Sequence, residues 1–541
     1  MEMTRRNFVA AAAGTAAVAG LSVPFANAAN VAYETDGPGE TEPIPPVDEP
    51  AAYDYEADFV VIGSGGGMSG ALRALDLGAS AIVIEKMPVV GGETQEACVF
   101  AFVSGTRCQT EAGLPDVTET LREKFYASAP FGAKQRPFID NVMAGSKQLV
   151  EWLEGLGLPF EPGYCVGGEA VYAVCPEGSA VNKMNLESMT YLTKFLASKI
   201  EEKGGQFLLS TEAEALIMAD GAVKGVMCTA EDDSTIYVKA NKGVLIATNG
   251  IQANRAMLAK YAPDALRCKV NVAGGFTDGK GIRMGFGAGA EFGGYDQFGV
   301  FDGGLDSMPW ESLLYAPVIQ VCRQPWLGID VHGDRYSYGT TGLSGFTAQG
   351  KLLKGLPGNH GYVIFDDDWY ERSLGFDQQM CRMPLDPAVF GDELYRVPEI
   401  YWDYKGGVET AMEEGLIESA DTIEELAEKL GLDPEVLVKA VDNYNAIVEA
   451  GEDPDGPYAE HPEYLFPIVK APFHGAKQGG MLYATSAGLA INENIQVLDK
   501  MGKPIPGLYC GGAAAARDIQ VCGSCCFSNT SAFLAATHAL S

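Results

Sequence analysis

A short apolar run followed by a cluster of glycines places the strongest constraint on how this chain can fold. Residues 59–62 are aromatic or β-branched, as a strand buried on both faces requires, and they lead directly into a glycine-rich loop. A helix candidate over 71–78 and a second apolar run over 81–84 follow, and this run ends in Glu85. These segments predict a βαβ unit that binds a dinucleotide, because glycines let the backbone approach a pyrophosphate and the acid reaches a ribose. The predicted cofactor residues of this unit are Gly63, Gly65, Gly66, Gly67, Met68 and Glu85.

The glycine loop departs from the usual G-x-G-x-x-G pattern at one position. Met68 stands where the third glycine belongs. The sequence therefore allows two turns: a shorter one, in which Gly67 takes the role of the third glycine, or a wider one.

The N-terminus predicts an export signal. Two arginines, Arg5 and Arg6, precede an apolar run over 10–23 and an Ala-x-Ala cleavage pattern at 26–28. This order is typical of a twin-arginine signal, which carries folded proteins across the cytoplasmic membrane; the alternative is a stray amphipathic helix. We therefore expect a signal peptide over 1–28 and a mature protein in the periplasm or at the extracytoplasmic face of the cell membrane, with no membrane span of its own.

The length of the chain indicates how many domains it forms, and its net charge indicates which partners it can bind. The chain has 541 residues, too many for one compact core, so two joined domains are expected. The formal net charge of −34 argues against nucleic acid or an anionic bilayer as partner, and it suits a cationic redox partner. Residues 29–56 are acidic and rich in proline, and we expect them to form a flexible linker.

Further motifs in the chain resemble one enzyme family. In their order and spacing they are similar to the flavoprotein family of soluble fumarate reductases and 3-ketosteroid dehydrogenases, and the resemblance extends from residue 57 to the end of the chain. The matching segments are 91–94, 243–250, 277–281, 420–427, 444–445, 453–455 and 507–512.

The resemblance implies FAD as cofactor and an α/β fold. A Rossmann-like FAD-binding domain is expected from residues 57–285 and 461–541, with an inserted α+β substrate-capping domain over 286–460. Backbone N–H groups of a helix that begins near Asn529 are expected to hold the flavin pyrimidine ring. The further cofactor residues implied are Lys86, Gly91, Gly92, Glu93, Thr94, Ala215, Ala247, Thr248, Asn249, Gly250, Asp278, Gly511, Gly512, Ser528, Asn529 and Thr530.

Two helix starts in the predicted capping domain can be read from the residues themselves. Thr422 and Glu425 form a capping box, and Asp433 precedes a proline at the first helical position. We therefore expect two successive helices, an αα-hairpin, to which we assign no chemistry.

The resemblance also shows which substrate-binding groups are missing. Relatives that act on dicarboxylates hold them with arginines and use one arginine as proton donor, a role that suits the bidentate guanidinium. Residues 333–336, which include Arg335, resemble the family's G-x-R-F element, but residues 337–349 contain no Arg or Lys where the proton donor is expected. Cys525 stands in place of a second, carboxylate-clamping arginine. A neutral α,β-unsaturated carbonyl substrate is therefore expected, since an unpaired buried carboxylate costs several kcal/mol.

A tyrosine is the expected proton donor in the absence of that arginine. The resemblance implies hydride transfer from flavin N5 to the β-carbon of the alkene, with protonation of the α-carbon by a side chain, a task for which ketosteroid dehydrogenases use tyrosines. Each such residue can equally be a packed aromatic or a structural histidine. The catalytic candidates are, in order, Tyr483, Tyr336, Tyr338 and His474, together with Arg335 of the G-x-R-F element.

Three cysteines, Cys522, Cys525 and Cys526, lie close together near the predicted flavin. In an exported protein disulfides are the simplest interpretation. The alternatives are direct contact with substrate or a [4Fe–4S] cluster, which needs one more ligand. That ligand would be Cys98, Cys108, Cys165 or Cys175.

The sequence contains no C-x-x-C-H haem site and no second dinucleotide motif in a strand context. Electrons are therefore expected from a membrane-associated cytochrome, and the function predicted is an ene-reductase of anaerobic respiration. The twin-arginine signal, missing arginines and abundant cysteine resemble the cardiac glycoside reductases of gut bacteria, which reduce an unsaturated lactone on a steroid. The alternatives are a ketosteroid dehydrogenase that works in the oxidative direction and a non-enzymatic flavoprotein that carries electrons or senses redox state.

Overall fold

The computed structural model describes most of the chain after residue 38. Its strands form two main sheets, each with its own apolar core. Within the described part of the chain, no helix has the length and apolar character needed to cross a membrane. The described residues are 39–97, 99–163, 170–177, 188–271, 277–295, 298–307, 321–322, 324–336, 350–373, 404–453, 464–516 and 524–541.

The described chain contains nineteen strands and twelve α-helices. The strands are β1 (Tyr55–Ile62), β2 (Ala81–Ile84), β3 (Phe100–Ala101), β4 (Phe160–Pro162), β5 (Ala173–Pro176), β6 (Gln206–Leu208), β7 (Glu212–Ala219), β8 (Ala222–Thr229), β9 (Thr235–Ile246), β10 (Val270–Asn271), β11 (Phe292–Gly293), β12 (Phe298–Leu305), β13 (Leu327–Ile329), β14 (His360–Asp366), β15 (Glu418–Ala420), β16 (Phe473–Thr485), β17 (Gly488–Leu489), β18 (Gln496–Leu498) and β19 (Pro504–Cys510). The helices are α1 (Gly67–Asp76), α2 (Arg107–Glu111), α3 (Thr118–Ser128), α4 (Arg136–Gly155), α5 (Ser188–Glu202), α6 (Arg255–Tyr261), α7 (Lys280–Gly287), α8 (Trp369–Ser373), α9 (Tyr404–Glu413), α10 (Ile423–Leu430), α11 (Pro434–Ala450) and α12 (Ser524–Ala539).

The first sheet joins the two ends of the chain. Its central order is β18-β19-β9-β1-β2-β6, with β8 and β7 attached to β9. Val61 of β1 lies opposite Val83 of β2 and Leu245 of β9, and Leu245 lies opposite Tyr509 of β19, all in parallel. The prediction of an α/β dinucleotide-binding fold assembled from both ends of the chain is therefore confirmed.

Two glycines allow helices α1 and α12 to pack in close contact beside this sheet. A Cβ atom at Gly70 would lie 2.8 Å from the carbonyl oxygen of Ala532, and one at Gly66 would lie 2.5 Å from Cβ of Ser528. Real Cβ atoms do not approach so closely, so both positions require glycine. The last helix of the chain is thereby held against the first helix of the βαβ unit.

The second sheet is built mainly on strand β16. Its order is β10-β16-β14-β13, with β12 and β15 also paired to β16. Its core includes Trp326, Phe365, Trp369 and Tyr444, all of which are buried. We call this sheet, together with helices α8 to α11, the cap. Because β16 continues to Thr485, the chain leaves the cap later than the predicted boundary at residue 461.

Both predicted helix starts in the cap are present. The hydroxyl of Thr422 accepts a hydrogen bond from the backbone N–H of Glu425 at 3.1 Å, and α10 follows. The carboxylate of Asp433 accepts one from the N–H of Glu435 at 2.9 Å, and α11 follows. These side chains satisfy N–H groups that have no partner within the helix.

The acidic segment before β1 is not a flexible linker where the structure describes it. The N–H of Val47 donates to the carbonyl of Leu216 at 2.9 Å, and the N–H of Met218 donates back to Val47 at 2.9 Å. Asp54 exchanges two further hydrogen bonds with the backbone of Tyr237. The expectation of a free linker over 29–56 was wrong for residues 39–56, because an open strand edge offers backbone partners that composition alone does not reveal.

A buried ion pair in the cap leads to a prediction about stability. Arg335 donates two hydrogen bonds to Asp453, at 3.0 and 2.9 Å, and the Asp453 side chain is 4% exposed. Replacement of Arg335 by Met would leave this buried carboxylate without its guanidinium, so we expect the cap to lose about 3 kcal/mol of stability. The measurement is denaturant unfolding followed by fluorescence of the buried Trp326 and Trp369.

The matched control for this prediction is the exposed pair of Lys405 and Glu409, whose side chains are 54% and 55% exposed. Glu409→Gln is expected to change stability by no more than about 0.5 kcal/mol. Equal effects of the two substitutions would contradict the structural role assigned to the Arg335–Asp453 pair.

Candidate cofactor and substrate site

Three parallel strands end side by side at one edge of the first sheet. Gly63 follows β1 and donates its N–H to Ile84, at 2.8 Å. Ala247 follows β9 and donates to Ile62 at 2.9 Å, while Gly511 follows β19 and donates to the last residue of β9 at 2.9 Å. The predicted cofactor segments that begin at these three residues therefore leave the sheet together, at the edge where open α/β sheets bind their ligands.

The glycine loop takes the shorter of the two turns allowed by the sequence. Helix α1 begins at Gly67, where a Cβ would lie 2.6 Å from Val61 and 2.8 Å from Ala247. Gly67 thus supplies the close contact between helix and strands, and the Met68 side chain is fully buried in the core. The helix has no side-chain cap at Gly66; the N–H groups of Met68 and Ser69 donate to the carbonyls of Gly65 and Gly66, at 3.3 and 3.2 Å. The positive end of the helix is directed at the glycine loop, as in sites that bind a pyrophosphate.

A second glycine segment faces the first. Gly91 donates its N–H to the hydroxyl of Ser64 at 3.0 Å, and Gly92 packs against Gly65, where a Cβ on Gly92 would lie 3.7 Å from the Gly65 Cα. Thr94 approaches the same residue, since a Cβ on Gly65 would lie 3.1 Å from the Thr94 hydroxyl. The structure therefore places residues 91–94, including Glu93, beside the glycine loop.

Glu85 organises this loop. It is 8% exposed and accepts hydrogen bonds from the N–H of Ser64 at 2.9 Å and from its hydroxyl at 2.6 Å. Its other oxygen accepts from the N–H of Met87 at 2.9 Å. Sequence reasoning did not single out Ser64, whose hydroxyl links Glu85 to Gly91. The signal was available, because Ser64 is the polar residue between the first two glycines.

The predicted ribose end of the site lies next to Glu85. Lys86 forms an ion pair with Asp278 at 3.3 Å, and Asp278 also accepts from the N–H of Lys280 at the start of α7, at 2.9 Å. Thr211, the residue before strand β7, also contacts this end of the site, because its N–H donates to the carbonyl of Glu85 at 3.0 Å. This strand carries Ala215, which is buried.

The turn after β9 joins the cofactor edge to the cap. Thr248 packs against α7, and a Cβ on Gly250 would lie 2.1 Å from the hydroxyl of Thr485 at the end of β16. The same hydroxyl accepts from the N–H of Ile251 at 3.3 Å and donates to the side chain of Gln252 at 3.3 Å. The segment with Asn249 thus lies where the sheet and the cap meet.

Helix α12 begins earlier than expected. Its described part already includes Ser524, so Asn529 lies inside the helix and its N–H is not one of the groups left without an intrahelical partner at the helix start. The expectation of a helix that begins near Asn529 was therefore wrong. The Asn529 side chain accepts from Ser69 at 2.7 Å and donates to the carbonyl of Cys525 at 2.9 Å.

Of the two neighbours of Asn529, Thr530 has its side chain in the protein interior and Ser528 has its side chain at the site. The Thr530 hydroxyl is buried and lies 3.1 Å from that of Ser146. Ser528 is partly exposed and packs between Gly66 and Gly512, where a Cβ on Gly512 would lie 3.1 Å from the Ser528 hydroxyl. Of the three predicted residues, Ser528 has a side chain that faces the glycine loops.

Tyr483 occupies an irregular position in β16. Its neighbour Leu482 pairs with Val300 and its neighbour Ala484 pairs with Gly299, so Tyr483 is a bulged residue outside the strand pairing. Its ring covers Gly299, where a Cβ would lie 2.3 Å from the ring carbon that bears the hydroxyl. Bulges redirect side chains and are frequent beside active sites. Tyr483 is also two residues from Thr485, at the junction of sheet and cap.

Two other catalytic candidates are structural residues of the cap. The Tyr336 hydroxyl donates to the carbonyl of Tyr362 at 3.1 Å, and its ring packs against Gly328 and Gly361. Arg335 is held by Asp453, as described above. Sequence reasoning placed both near the substrate because local motifs do not reveal which face of a strand is buried. The remaining tyrosine candidate, Tyr338, lies outside the described residues.

His474 also has a structural environment. It is 3% exposed, lies 2.8 Å from the hydroxyl of Ser419 through Nδ1, and packs against the ring of Phe365. Burial lowers the pKa of His474 from 6.5 to about 4, and the nearby Asp367 and Asp366 only partly oppose this shift. The side chain is therefore neutral at pH 7 and unsuited to donate a proton.

No disulfide joins two of the described cysteines to each other, and the same part of the chain holds no group of three or more His, Cys, Asp or Glu side chains that could bind a metal ion. Cys526 is buried with its sulfur 3.9 Å from the Thr530 hydroxyl, whereas Cys525 is partly exposed. Consecutive helix residues point in different directions, so these two thiols are poorly arranged to share one metal. Cys522 lies outside the described residues.

The fold and the glycine cradle define a dinucleotide-binding α/β protein, and the chain belongs to the family described as FAD binding domain. The family model matches residues 58–301 and 328–524. The cradle fits this cofactor: Gly63 to Gly67 and the first turn of α1 would hold the pyrophosphate, and Glu85 the ribose. FAD is therefore the cofactor of this protein, and when bound it supplies two-electron hydride chemistry.

Curated relatives and solved structures are similar over most of the chain. The NADH:fumarate oxidoreductase of Klebsiella pneumoniae is 27% identical, over 84% of this chain and 44% of that protein, so this chain spans less than half of that relative. The vinyl phenol reductase of Lactiplantibacillus plantarum is 28% identical over 85% of this chain and 90% of that protein.

Two solved structures share the fold. The open conformation of a flavocytochrome c3 fumarate reductase has a TM-score of 0.66, with 22% identity over 91% of this chain and 80% of that chain. A 3-ketosteroid-Δ4-(5α)-dehydrogenase from Rhodococcus jostii has a TM-score of 0.64, with 22% identity over 92% and 100% of the two chains. The resemblance to fumarate reductase flavoproteins and ketosteroid dehydrogenases is confirmed.

The space between the two glycine segments leads to a prediction about FAD binding. In Gly65→Ala the added methyl group would meet the end of the Thr94 side chain, so the apoprotein should tolerate it, but it would fill the space needed for close approach of the pyrophosphate. Overpacking costs about 1–3 kcal/mol, so we expect FAD affinity to fall about tenfold or more. Titration of apoprotein with FAD, followed by quenching of flavin fluorescence, measures the change.

The control for this prediction is Gly155→Ala. Gly155 ends helix α4, and a Cβ there would meet nothing within 4 Å. This variant should bind FAD as the unsubstituted protein does. Equal affinity of the Gly65→Ala variant would show that the pyrophosphate does not approach this loop.

The low pKa of His474 predicts a pH dependence of stability. The unfolded chain binds a proton near pH 6.5, whereas the folded chain binds it only near pH 4, so stability is lost as pH falls through this window. Between about pH 8 and about pH 5 this one group should cost about 2 kcal/mol. The free energy of unfolding of a His474→Gln variant should therefore fall by about that much less over the same range. Identical pH profiles would contradict the assigned environment.

Proposed function

We propose that this chain is an exported FAD-dependent reductase that saturates a carbon–carbon double bond conjugated to a carbonyl group in a neutral substrate. The proposal depends on one combination of features. Tyr483 is a bulged residue at the junction of sheet and cap, and arginine is absent both from residues 337–349 and from position 525. Membership of the FAD binding domain family supports the redox chemistry. The names of the relatives, among them fumarate, acrylate, urocanate and vinyl phenol reductases, support reduction of such a bond.

The charge of the site supports a neutral substrate. Arg335 donates two hydrogen bonds to Asp453 within the cap, and residues 337–349 contain no Arg or Lys. Cys525, a partly exposed thiol on α12, stands where dicarboxylate-binding relatives have an arginine. A carboxylate of the substrate would have to shed its hydration shell without the guanidinium partners that relatives have at these two positions, and that loss disfavours dicarboxylates. An enone, an unsaturated ester or an unsaturated lactone such as a cardenolide avoids this cost.

The side chain proposed as proton donor is Tyr483. A phenol has an ordinary pKa of about 10, so it is protonated at neutral pH and can deliver a proton to the carbon beside a carbonyl. Gly299 provides the space into which the ring folds. The Thr485 hydroxyl holds the turn at Ile251 nearby, so the strand that carries Tyr483 is anchored to the cofactor edge.

The sequence supports the proposed location and electron source. The twin-arginine pattern favours export to the periplasm or the extracytoplasmic face of the membrane, where cytoplasmic nicotinamide cofactors are absent. A membrane-associated cytochrome is the proposed donor, and the net charge of −34 would favour a cationic one. The protein would then act in anaerobic respiration.

The substrate class can be tested by anaerobic turnover with a reduced viologen dye as electron donor. We expect reduction of enones and unsaturated lactones, and little reduction of fumarate or urocanate. A preference for fumarate would contradict the argument from the missing arginines. Turnover solely with an oxidising dye and a saturated ketone would favour a dehydrogenase, and no turnover with any alkene would favour an electron carrier.

The proton donor can be tested in the same assay. Tyr483→Phe should lower kcat by about 10²–10⁴ with FAD retained, because the substitution removes the acid but keeps the ring. The matched control is Tyr336→Phe, which removes a hydroxyl that serves the cap and should cost about 1 kcal/mol of stability without loss of turnover. Gly299→Ala should resemble Tyr483→Phe, since the new Cβ displaces the ring. Full activity of Tyr483→Phe would exclude this tyrosine as the acid.

A further inference from the structure

The segment before β1 is attached to the FAD-binding domain along its described length. We call residues 39–54 the N-terminal strap. The strap lies before the residues that match the family model, which begin at 58. It pairs with the edge strand β7 through Val47, and the backbone N–H of Ile44 donates to the carbonyl of Arg283 on α7 at 3.0 Å. The strap is therefore an addition to the matched domain that contacts both β7 and α7.

Arg283 fastens the strap from the side of helix α7. Its guanidinium donates to the backbone carbonyl of Glu42 at 2.8 Å and forms an ion pair with the carboxylate of Glu40. The backbone of Ile44 lies so close to α7 that a Cβ on Gly287 would collide with its carbonyl oxygen. The strap is thus packed directly against α7.

One buried side chain connects the strap to the cofactor site. Asn254 is 3% exposed, and its amide group donates to the carbonyl of Glu40 at 2.8 Å and to the carbonyl of Asp278 at 2.9 Å. Its oxygen accepts from the N–H of Met257 and caps helix α6. A Cβ on Gly39 would lie 2.5 Å from the Asn254 side chain, so the strap closes directly over it.

The contacts continue from Asn254 to the ribose end of the site. Asp278, whose carbonyl Asn254 holds, pairs with Lys86 at 3.3 Å. Lys86 follows Glu85, the residue at the end of β2 that meets the ribose in dinucleotide-binding folds. An unbroken series of contacts therefore joins the strap, Asn254, Asp278 and Lys86 to Glu85.

We infer that the N-terminal strap is a latch that retains FAD, with Asn254 as the positioning residue that transmits its closure to Asp278 and Lys86. Neither the strap nor Asn254 is required to touch the cofactor for this effect. When the strap is docked, Asn254 keeps the turn at Asp278 in place, and that turn fixes the cation beside Glu85. When it is displaced, the ribose end of the site loses this support and FAD leaves faster.

The test uses two glycines with the same backbone strain in the full-length chain. Gly39 has φ of +87° and Gly78 has φ of +82°, so alanine is strained at both positions. A Cβ at Gly78 meets nothing within 4 Å, whereas one at Gly39 collides with Asn254. Gly39→Ala should therefore release FAD about tenfold faster, a change of about 1.4 kcal/mol, and Gly78→Ala should release it at the rate of the unsubstituted protein.

A second variant tests Asn254 itself. Asn254→Ser keeps an oxygen that can cap α6 but loses both donated hydrogen bonds and adds no charge. It should also release FAD about tenfold faster, with little change in the melting temperature of the apoprotein. The rate is measured by mixing holoprotein with an excess of another FAD-binding apoprotein that traps released FAD, and by following the change in the flavin absorption spectrum as the cofactor is transferred.

Each outcome decides the inference without any substrate. Faster release in Gly39→Ala and Asn254→Ser, but not in Gly78→Ala, supports a latch. Equal release rates in the two alanine variants, or release at the original rate in Asn254→Ser, would overturn it. A lower melting temperature of the apoprotein with an unchanged release rate would mean that the strap is merely structural. Because no turnover is measured, failure of the proposed reductase activity would leave this result unaffected.

Discussion

The common edge at which strands β1, β9 and β19 end is the constraint on which the rest of the structure depends. Two of these strands come from opposite ends of the chain, and Val244 to Ile246 of β9 pairs with both of them. Helices α1 and α12 can follow them side by side because Gly66 and Gly70 carry no side chain. A cofactor cradle made of distant segments thus forms only when the sheet is complete, so FAD binding and folding of this domain are coupled.

The interior of the cap contains residues that the family resemblance assigned to catalysis. Arg335, Tyr336 and His474 are engaged in its interior by Asp453, Tyr362 and Ser419. Tyr483, by contrast, lies at a bulge where β16 meets the cofactor edge, and it is the residue that we propose as proton donor. The same strand therefore holds the cap together at one end and approaches the site at the other.

The acidic strap shows how an apparently simple segment acquires a role from its surroundings. Its prolines and carboxylates are typical of a linker, but Arg283 and the edge of β7 supply partners for its charges and its backbone. An anchored strap also shields the outer edge of β7, which would otherwise present unpaired backbone groups. The strap is thus a structural part of the domain that follows it in the chain.

The sequence by itself determined the βαβ unit, Glu85, the two helix starts in the cap and the family resemblance, because each depends on local spacing and residue type. The tertiary structure decided the features that depend on contacts between residues distant in the chain. It decided that Gly67 replaces the third glycine, since that depends on the distance to Val61 and Ala247. It also decided that Asn529 lies within α12 and not at its start, and that Tyr483 leaves the strand pairing while Tyr336 is buried, since these depend on strand register and on partners distant in the chain.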